Sequence, residues 1–171
     1  MGGDPKKEPP VFFSKPVTSC VVGNRDVNYP QATKDLHHEV ELVIALKSGG
    51  KNIVVESAMA CVYGYAVGVD FTRRDLQAQA KAKGMPWDTA KGFDQSAPVS
   101  PIVPATAWNA LDDAEISLRV NDEIRQKGNI NEMIWSVPEI ICELSKLFEL
   151  KPINSAGNIP TSDKTEYLPP I

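Results

Sequence analysis

Hydrophobic positions along this chain alternate or gather in short runs, and helical periodicity is confined to two segments. The run Glu39 to Leu46, the turn residues Ser48-Gly49-Gly50-Lys51 and the run Asn52 to Glu56 predict a β-hairpin. The following segment, MACVYGYAVGVDF, is rich in Val and Tyr and interrupted by Gly64 and Gly68, which predicts a strand with bulges or close backbone approaches. A helix is expected over Arg73 to Lys83, capped by Thr72 with Asp75 and stopped by Gly84 and Pro86. Residues 85–108 carry too many prolines for long elements and read as a long ordered loop, a kind of segment that tends to be functional. AEISLRVNDEIRQKGNI predicts a second hairpin turning at Asn121-Asp122. The stretch 131–150 predicts a helix with Pro138 near its start and Ile140, Ile141, Leu144, Leu147 and Phe148 on or near one face. Residues 1–10 read as a flexible entry segment, residues 11–150 as one domain, and residues 151–171 as an irregular tail.

Composition narrows the function classes. Hydrophobic residues at 42% and charged residues at 23% of 171 give a folded chain with a core, neither a disordered tail nor a fibrous repeat. With 18 Lys and Arg against 22 Asp and Glu, the net charge of −4 lacks the basic stripe that nucleic-acid binding requires. No apolar run reaches the roughly 20 residues of a membrane helix, and MGGDPKKEPP has no signal-peptide core, so neither nucleic acid nor a membrane is an expected partner. Cys20, Cys61 and Cys142 follow no metal-binding or disulfide spacing and read as reduced thiols. These features predict a cytoplasmic protein, or a mitochondrial one in a eukaryote.

Candidate chemistry starts at His37-His38-Glu39-Val40-Glu41. Residues two apart on a strand share a face, so Glu39 and Glu41 point the same way. Two readings stand: a solvated acidic strand face, or a carboxylate pair turned toward a cation. Asp70 ends the Val-rich strand, where it either serves the turn before the helix or delivers a third carboxylate into a cleft. Three such oxygens would suit Mg²⁺ or Mn²⁺. Lys91, beside Gly92 in the long loop, is either a surface lysine or a sheltered ammonium able to act on an enolate. His37 and His38 face opposite sides of a strand, so only one could approach the acids, in a supporting role.

Taken in order, HHEVELVIAL, GYAVGVDFTRRDLQAQAKAKGMPWDTAKGFDQSAPVSP and RVNDEIRQKGNINEMIWSVPEII resemble the fumarylacetoacetate hydrolase family, in particular its small acylpyruvate hydrolase, fumarylpyruvate hydrolase and oxaloacetate tautomerase or decarboxylase branch. The resemblance covers roughly residues 10 to 150. It implies an α+β fold, a mixed β-roll of the fumarylacetoacetase C-terminal type with short helices, incomplete at its C-terminus. It further implies a homodimer that binds Mg²⁺ or Mn²⁺ through Glu39, Glu41 and Asp70. By the same resemblance Lys91 matches the catalytic lysine and Gln77 a glutamine near substrate, and Arg74 is a carboxylate contact or a structural ion-pair partner. The implied activity is metal-dependent cleavage of a C–C bond in a small 2-oxo acid of the fumarylpyruvate or acetylpyruvate class, with charge developing on an enolate. The alternatives are an oxaloacetate tautomerase or decarboxylase, and a catalytically impaired member that still binds metal.

Two family segments have no counterpart in this sequence. Relatives carry an N-terminal lid whose His and Glu activate water, and a C-terminal apolar strand with a T-G-T-P loop. The resemblance therefore implies a shortened catalytic domain here.

Overall fold

The Val62–Val69 run carries bulky β-formers at odd positions and Gly or Ala at Gly64, Ala66 and Gly68, so its two faces differ sharply in bulk. That asymmetry sets its pairing. In the computed structural model, which describes residues 5–108, 111–153 and 165–166, it lies antiparallel to Val40–Leu46, with Val40 opposite Val69 and Ile44 opposite Tyr65. Val40, Leu42, Ile44 and Tyr65 turn to the core, whereas Glu41, Val43 and Ala45 lie opposite Gly68, Ala66 and Gly64 on the other face. A Cβ on Gly64 would sit 2.2 Å from the carbonyl oxygen of Val103, so a third strand can approach only because that position is glycine.

In chain order the elements are β1 (Ser14–Lys15), β2 (Cys20–Val21), β3 (Leu36–His37), β4 (Val40–Leu46), α1 (Val55–Ala58), β5 (Val62–Val69), β6 (Thr72–Arg73), α2 (Arg74–Lys83), α3 (Asp88–Lys91), β7 (Ala97–Pro98), β8 (Val103–Pro104), β9 (Glu115–Val120), β10 (Glu123–Asn129), α4 (Val137–Leu147) and β11 (Thr165–Glu166). The central sheet has the order β4-β5-β8. Around it lie the β9–β10 hairpin, the antiparallel pairs β3–β6 and β1–β11, and the parallel pair β2–β7. Short strands in several small sheets with short helices make the α+β roll that the resemblance implies. The core joins the inner face of β4 and β5 to Ile116, Ile130, Val137, Ile141, Leu144 and Leu150.

Local signals are obeyed where nothing distant competes. Asn121 and Asp122 both take positive φ, 49° and 65°, the backbone that a two-residue hairpin turn requires. α4 opens with a reciprocal capping box between Ser136 and Glu139. Gly84, at φ 62°, closes α2 and donates its N–H to Ala80 and Lys81.

Four expectations need correction. The first hairpin does not form with Asn52–Glu56. Gly50 instead exchanges backbone hydrogen bonds with Leu150, Asn52 and Ile53 bond to Ser145, and residues 55–58 become α1, packed on α4. β5 wins as the partner of β4 because its longer run pairs along the whole of β4 and buries Val62 and Tyr65 in the core, which the shorter segment cannot. Thr72 does not cap α2. It is fully buried in β6, while Asp75 accepts hydrogen bonds from the Thr33 hydroxyl and the Lys34 N–H. Leu147 and Phe148 are exposed, because α4 ends at Leu147 and turns extended at Phe148 before its face continues. Finally, the entry segment is anchored in part: residues 5–7 form a 3₁₀ turn and Lys6 pairs with Glu139 at 2.6 Å. The irregular tail lies outside the described residues apart from residues 151–153 and the β11 pairing. No helix among the described residues is long and apolar enough to cross a membrane.

Candidate metal centre

The acidic site sits where β4 begins and β5 ends. The Asp70 N–H donates to the Glu39 carbonyl at 2.8 Å, a backbone tie that brings the two side chains to the same end of the sheet. Glu41 shares the face of Glu39, as period-two alternation demands. Carboxylate oxygens of Glu39, Glu41 and Asp70 all lie within 4.8 Å of one another. The cluster borders a small cleft whose lining includes Lys15, Glu41, Val43, Gly68, Asp70 and Val99. The solvated-face reading of the acidic pair is thereby overturned: Glu41 is 8% exposed and the Glu39 side chain 14%. Asp70, at 2%, points into the site and leaves the turn to its backbone carbonyl, which accepts from the Thr72 hydroxyl.

Three cations answer the three acids. Lys91 is no surface lysine. It is the last residue of α3, fully buried, with Nζ donating to Glu39 Oε2 at 2.7 Å and to Asp70 Oδ2 at 2.5 Å, and with the Phe13 ring centroid 5.0 Å away. Arg74, the first residue of α2, spans the Glu39 carboxylate, Gln77 Oε1 at 2.6 Å and His37 Nδ1 at 3.3 Å. Gln77 is itself buried. Lys15, from β1, is the third cation; its Nζ lies 2.7 Å from Asp70 Oδ1, as an ion pair off the hydrogen-bonding direction. Sequence reasoning missed it, since one lysine in a Pro-rich entry segment carries no local sign of burial.

Burial and charge act against each other here. Burial pushes the Glu41 carboxyl well above its usual range, and the neighbouring Asp70 charge adds to that push. Asp70 is also raised by burial, against the pull of Lys15 and Lys91. For Glu39, burial is the largest single influence and acts upward. The hydrogen bonds and charges of Lys91 and Arg74 together overcome it and hold the carboxyl low. Burial lowers Lys15, opposed by Asp70.

The donor set passes a direct test of fit to a cation. Glu41 Oε1 is buried with no hydrogen-bond partner, a costly state for a carboxylate oxygen that a hard divalent ion would relieve. An all-oxygen donor set suits Mg²⁺ or Mn²⁺ rather than a soft metal. Neither histidine belongs to this group: His37 pairs with Asp35 at 3.1 Å and half of its side chain is exposed.

Comparison with known proteins places the chain in a family. Residues 2–154 match the family described as fumarylacetoacetate (FAA) hydrolase C-terminal, and the chain belongs to that family. It is 38% identical over 149 residues to fumarylpyruvate hydrolase from Ralstonia sp., covering 87% of this chain and 77% of that one. It is 37% identical over 151 residues to oxaloacetate tautomerase FAHD2, mitochondrial, of Oryza sativa subsp. japonica, covering 86% and 67%. Among solved structures it resembles fumarylpyruvate hydrolase from Pseudomonas aeruginosa in complex with Mn²⁺ and pyruvate, with a TM-score of 0.83, 46% identity, and coverage of 89% and 67%. The chain spans 66–67% of the length of several relatives it matches.

Proposed function

We propose that this chain carries the catalytic domain of a metal-dependent hydrolase that cleaves a C–C bond in acylpyruvate-type 2-oxo acids, of the fumarylpyruvate or acetylpyruvate class. The observation that carries the reading is the convergence of Glu39, Glu41 and Asp70 beside buried Lys91, with one Glu41 oxygen left without a partner. These three residues would hold Mg²⁺ or Mn²⁺, which when bound supplies Lewis acidity toward the 2-oxo carboxylate end of the substrate. Similarity to a hydrolase crystallised with Mn²⁺ and pyruvate supports a small 2-oxo acid as the ligand.

The chain's own residues position and polarise. In the overall reaction water adds its hydroxyl to the acyl carbon, the electron pair of the broken C–C bond passes to the pyruvate fragment, and that fragment is then protonated at carbon. Lys91 Nζ, aimed from a buried helix end, stabilises negative charge developing on the pyruvate oxygen. Gln77 has its Oε1 taken by Arg74, so its amide N–H groups remain to orient substrate. The burial of Lys91, Gln77 and Glu41 keeps water from screening these interactions. A second copy of the chain is the expected partner, in a homodimer. Tyr63, Val67 and Val103, exposed apolar side chains of β5 and β8, support a covered sheet face.

One observation favours a second reading, an oxaloacetate tautomerase or decarboxylase. It is the 37% identity to an oxaloacetate tautomerase, nearly the same as the 38% to the hydrolase from Ralstonia sp.. The test is the loss of ultraviolet absorbance of acetylpyruvate with the purified chain under Mg²⁺, Mn²⁺ or EDTA, with Glu39→Ala as control. Metal-dependent loss abolished by the substitution is expected. Loss that persists in EDTA refutes the metal reading, and turnover of oxaloacetate alone selects the second activity.

A further inference from the structure

Resting on the metal-site reading above, we propose that Lys15 is a positioning residue of this site. It is an internal cation that faces Asp70 Oδ1 and bonds the backbone of Lys91, and so fixes how the Asp70 carboxylate is turned toward the site.

A lysine 2% exposed is unusual, because both the charge and the long side chain resist burial unless every proton finds an acceptor. Here acceptors surround it. Besides facing Asp70 Oδ1 at 2.7 Å, Nζ donates to the Lys91 carbonyl, to Ser96 Oγ at 2.8 Å and to the Ser96 carbonyl at 3.2 Å. Ser96 Oγ in turn donates to the Lys91 carbonyl at 2.9 Å. One ammonium therefore joins three segments far apart in sequence: β1, the end of β5 and the turn after α3. The backbone around Lys15 is fixed as well. A Cβ on Gly92 would meet Asp88 O at 3.1 Å, Pro16 Cδ at 3.3 Å and Ser14 O at 3.8 Å, so the Ser14–Pro16 segment packs directly on the residue that follows Lys91.

The division of labour at Asp70 follows from these contacts. Oδ1 faces Lys15 and Oδ2 faces Lys91, on the side shared with Glu39 Oε2. Without Lys15, the carboxylate would be held through Oδ2 by Lys91 alone, and the Lys91 carbonyl would lose a charged donor. Groups that orient a ligating carboxylate in this way typically change metal affinity about 10- to 100-fold when removed.

The sign of the effect separates positioning from simple electrostatics. Removing a positive charge beside three carboxylates should tighten binding of a divalent cation if Lys15 acts only through its charge, and weaken it if Lys15 acts by orientation. The experiment titrates Mn²⁺ into the full chain and follows the electron paramagnetic resonance signal of free Mn²⁺, with circular dichroism and thermal melting in EDTA on the same samples. The variants are Lys15→Met, Lys15→Arg, Ser96→Ala and Glu41→Gln. Lys15→Met is expected to weaken Mn²⁺ binding about tenfold or more while the fold persists, and Ser96→Ala to weaken it in the same direction by less. Lys15→Arg, which keeps the charge but not the fit, is expected to fall with Lys15→Met. Should Lys15→Met fail to fold, Lys15→Arg and Ser96→Ala decide the matter. Unchanged or tighter Mn²⁺ binding in the folded variants, with only the melting temperature lowered, overturns the proposal. Failure of the unaltered chain to bind Mn²⁺, or binding indifferent to Glu41→Gln, refutes the metal site itself and the role of Lys15 with it.

Discussion

Replacing Glu41 by Gln should make the metal-free protein more stable while abolishing its response to metal. The glutamate is nearly isosteric with glutamine, so its volume is preserved, but a carboxyl whose charged form burial and Asp70 disfavour is replaced by a neutral amide. Glu41 Oε1 has no hydrogen-bond partner, and an unsatisfied buried polar group costs about 1–3 kcal/mol. Taking about 1–2 kcal/mol as the part that neutralisation relieves, and about 2–4 °C per kcal/mol for a domain of this size, the melting temperature in EDTA should rise by about 2–8 °C. In the unaltered chain, Mn²⁺ at about 100 times its dissociation constant should add about 2.7 kcal/mol, or about 5–11 °C. Thermal melting followed by circular dichroism, in EDTA and in Mn²⁺, reads both effects. The two curves of the unaltered chain should separate, and those of Glu41→Gln should coincide above the unaltered EDTA curve. A Glu41→Gln protein that melts lower in EDTA would show that the carboxylate is already satisfied by the fold. A preserved Mn²⁺ shift would show that the ion binds elsewhere, and either result refutes the reasoning.

Two further predictions concern the scaffold. Gly64→Ala places a Cβ 2.2 Å from the Val103 carbonyl, a backbone atom that cannot step aside without parting β8 from β5, and should cost about 1–3 kcal/mol or more in urea unfolding; a loss below half that range would show that the sheet yields easily. The Lys6 ammonium and the Ser136 cap hold the Glu139 carboxyl down to about 2, below the usual value of 4.5, so its contribution is full above pH 4.5 and disappears as pH falls toward 2. Glu139→Gln should therefore cost about 1 kcal/mol or less at pH 7, since the pair is largely exposed, and progressively less in acid; a difference in urea unfolding that is unchanged between pH 7 and pH 3 would refute the assignment.

Some of this protein can be read from its sequence because the deciding interactions are local. The Asn121-Asp122 turn and the Gly84 stop each depend on residues within one turn of one another, and each forms as expected; α4 opens at Val137, six residues later than the helical pattern suggests, where Ser136 and Glu139 form a capping box. The shared face of Glu39 and Glu41 follows from the two-residue period of a strand, whatever the strand pairs with. The resemblance to the family is likewise legible, because it rests on several motif strings in order over roughly residues 10 to 150.

The tertiary structure decided what depends on distant partners. Ser48–Lys51 is a sound turn signal, yet β4 pairs with β5, since pairing along its full length and burying Val62 and Tyr65 outweigh the convenience of a short loop. Asp75 serves Thr33 rather than Thr72 for the same reason: Thr72 is drawn into the sheet. Whether Asp70 served a turn or a cleft, and whether Lys91 was exposed, could not be read from neighbours in sequence, because burial is a property of the folded surface. Lys15 shows this most sharply. A lysine followed by proline has no local mark of an interior cation, and its environment exists only once β1, the end of β5 and the turn after α3 have met.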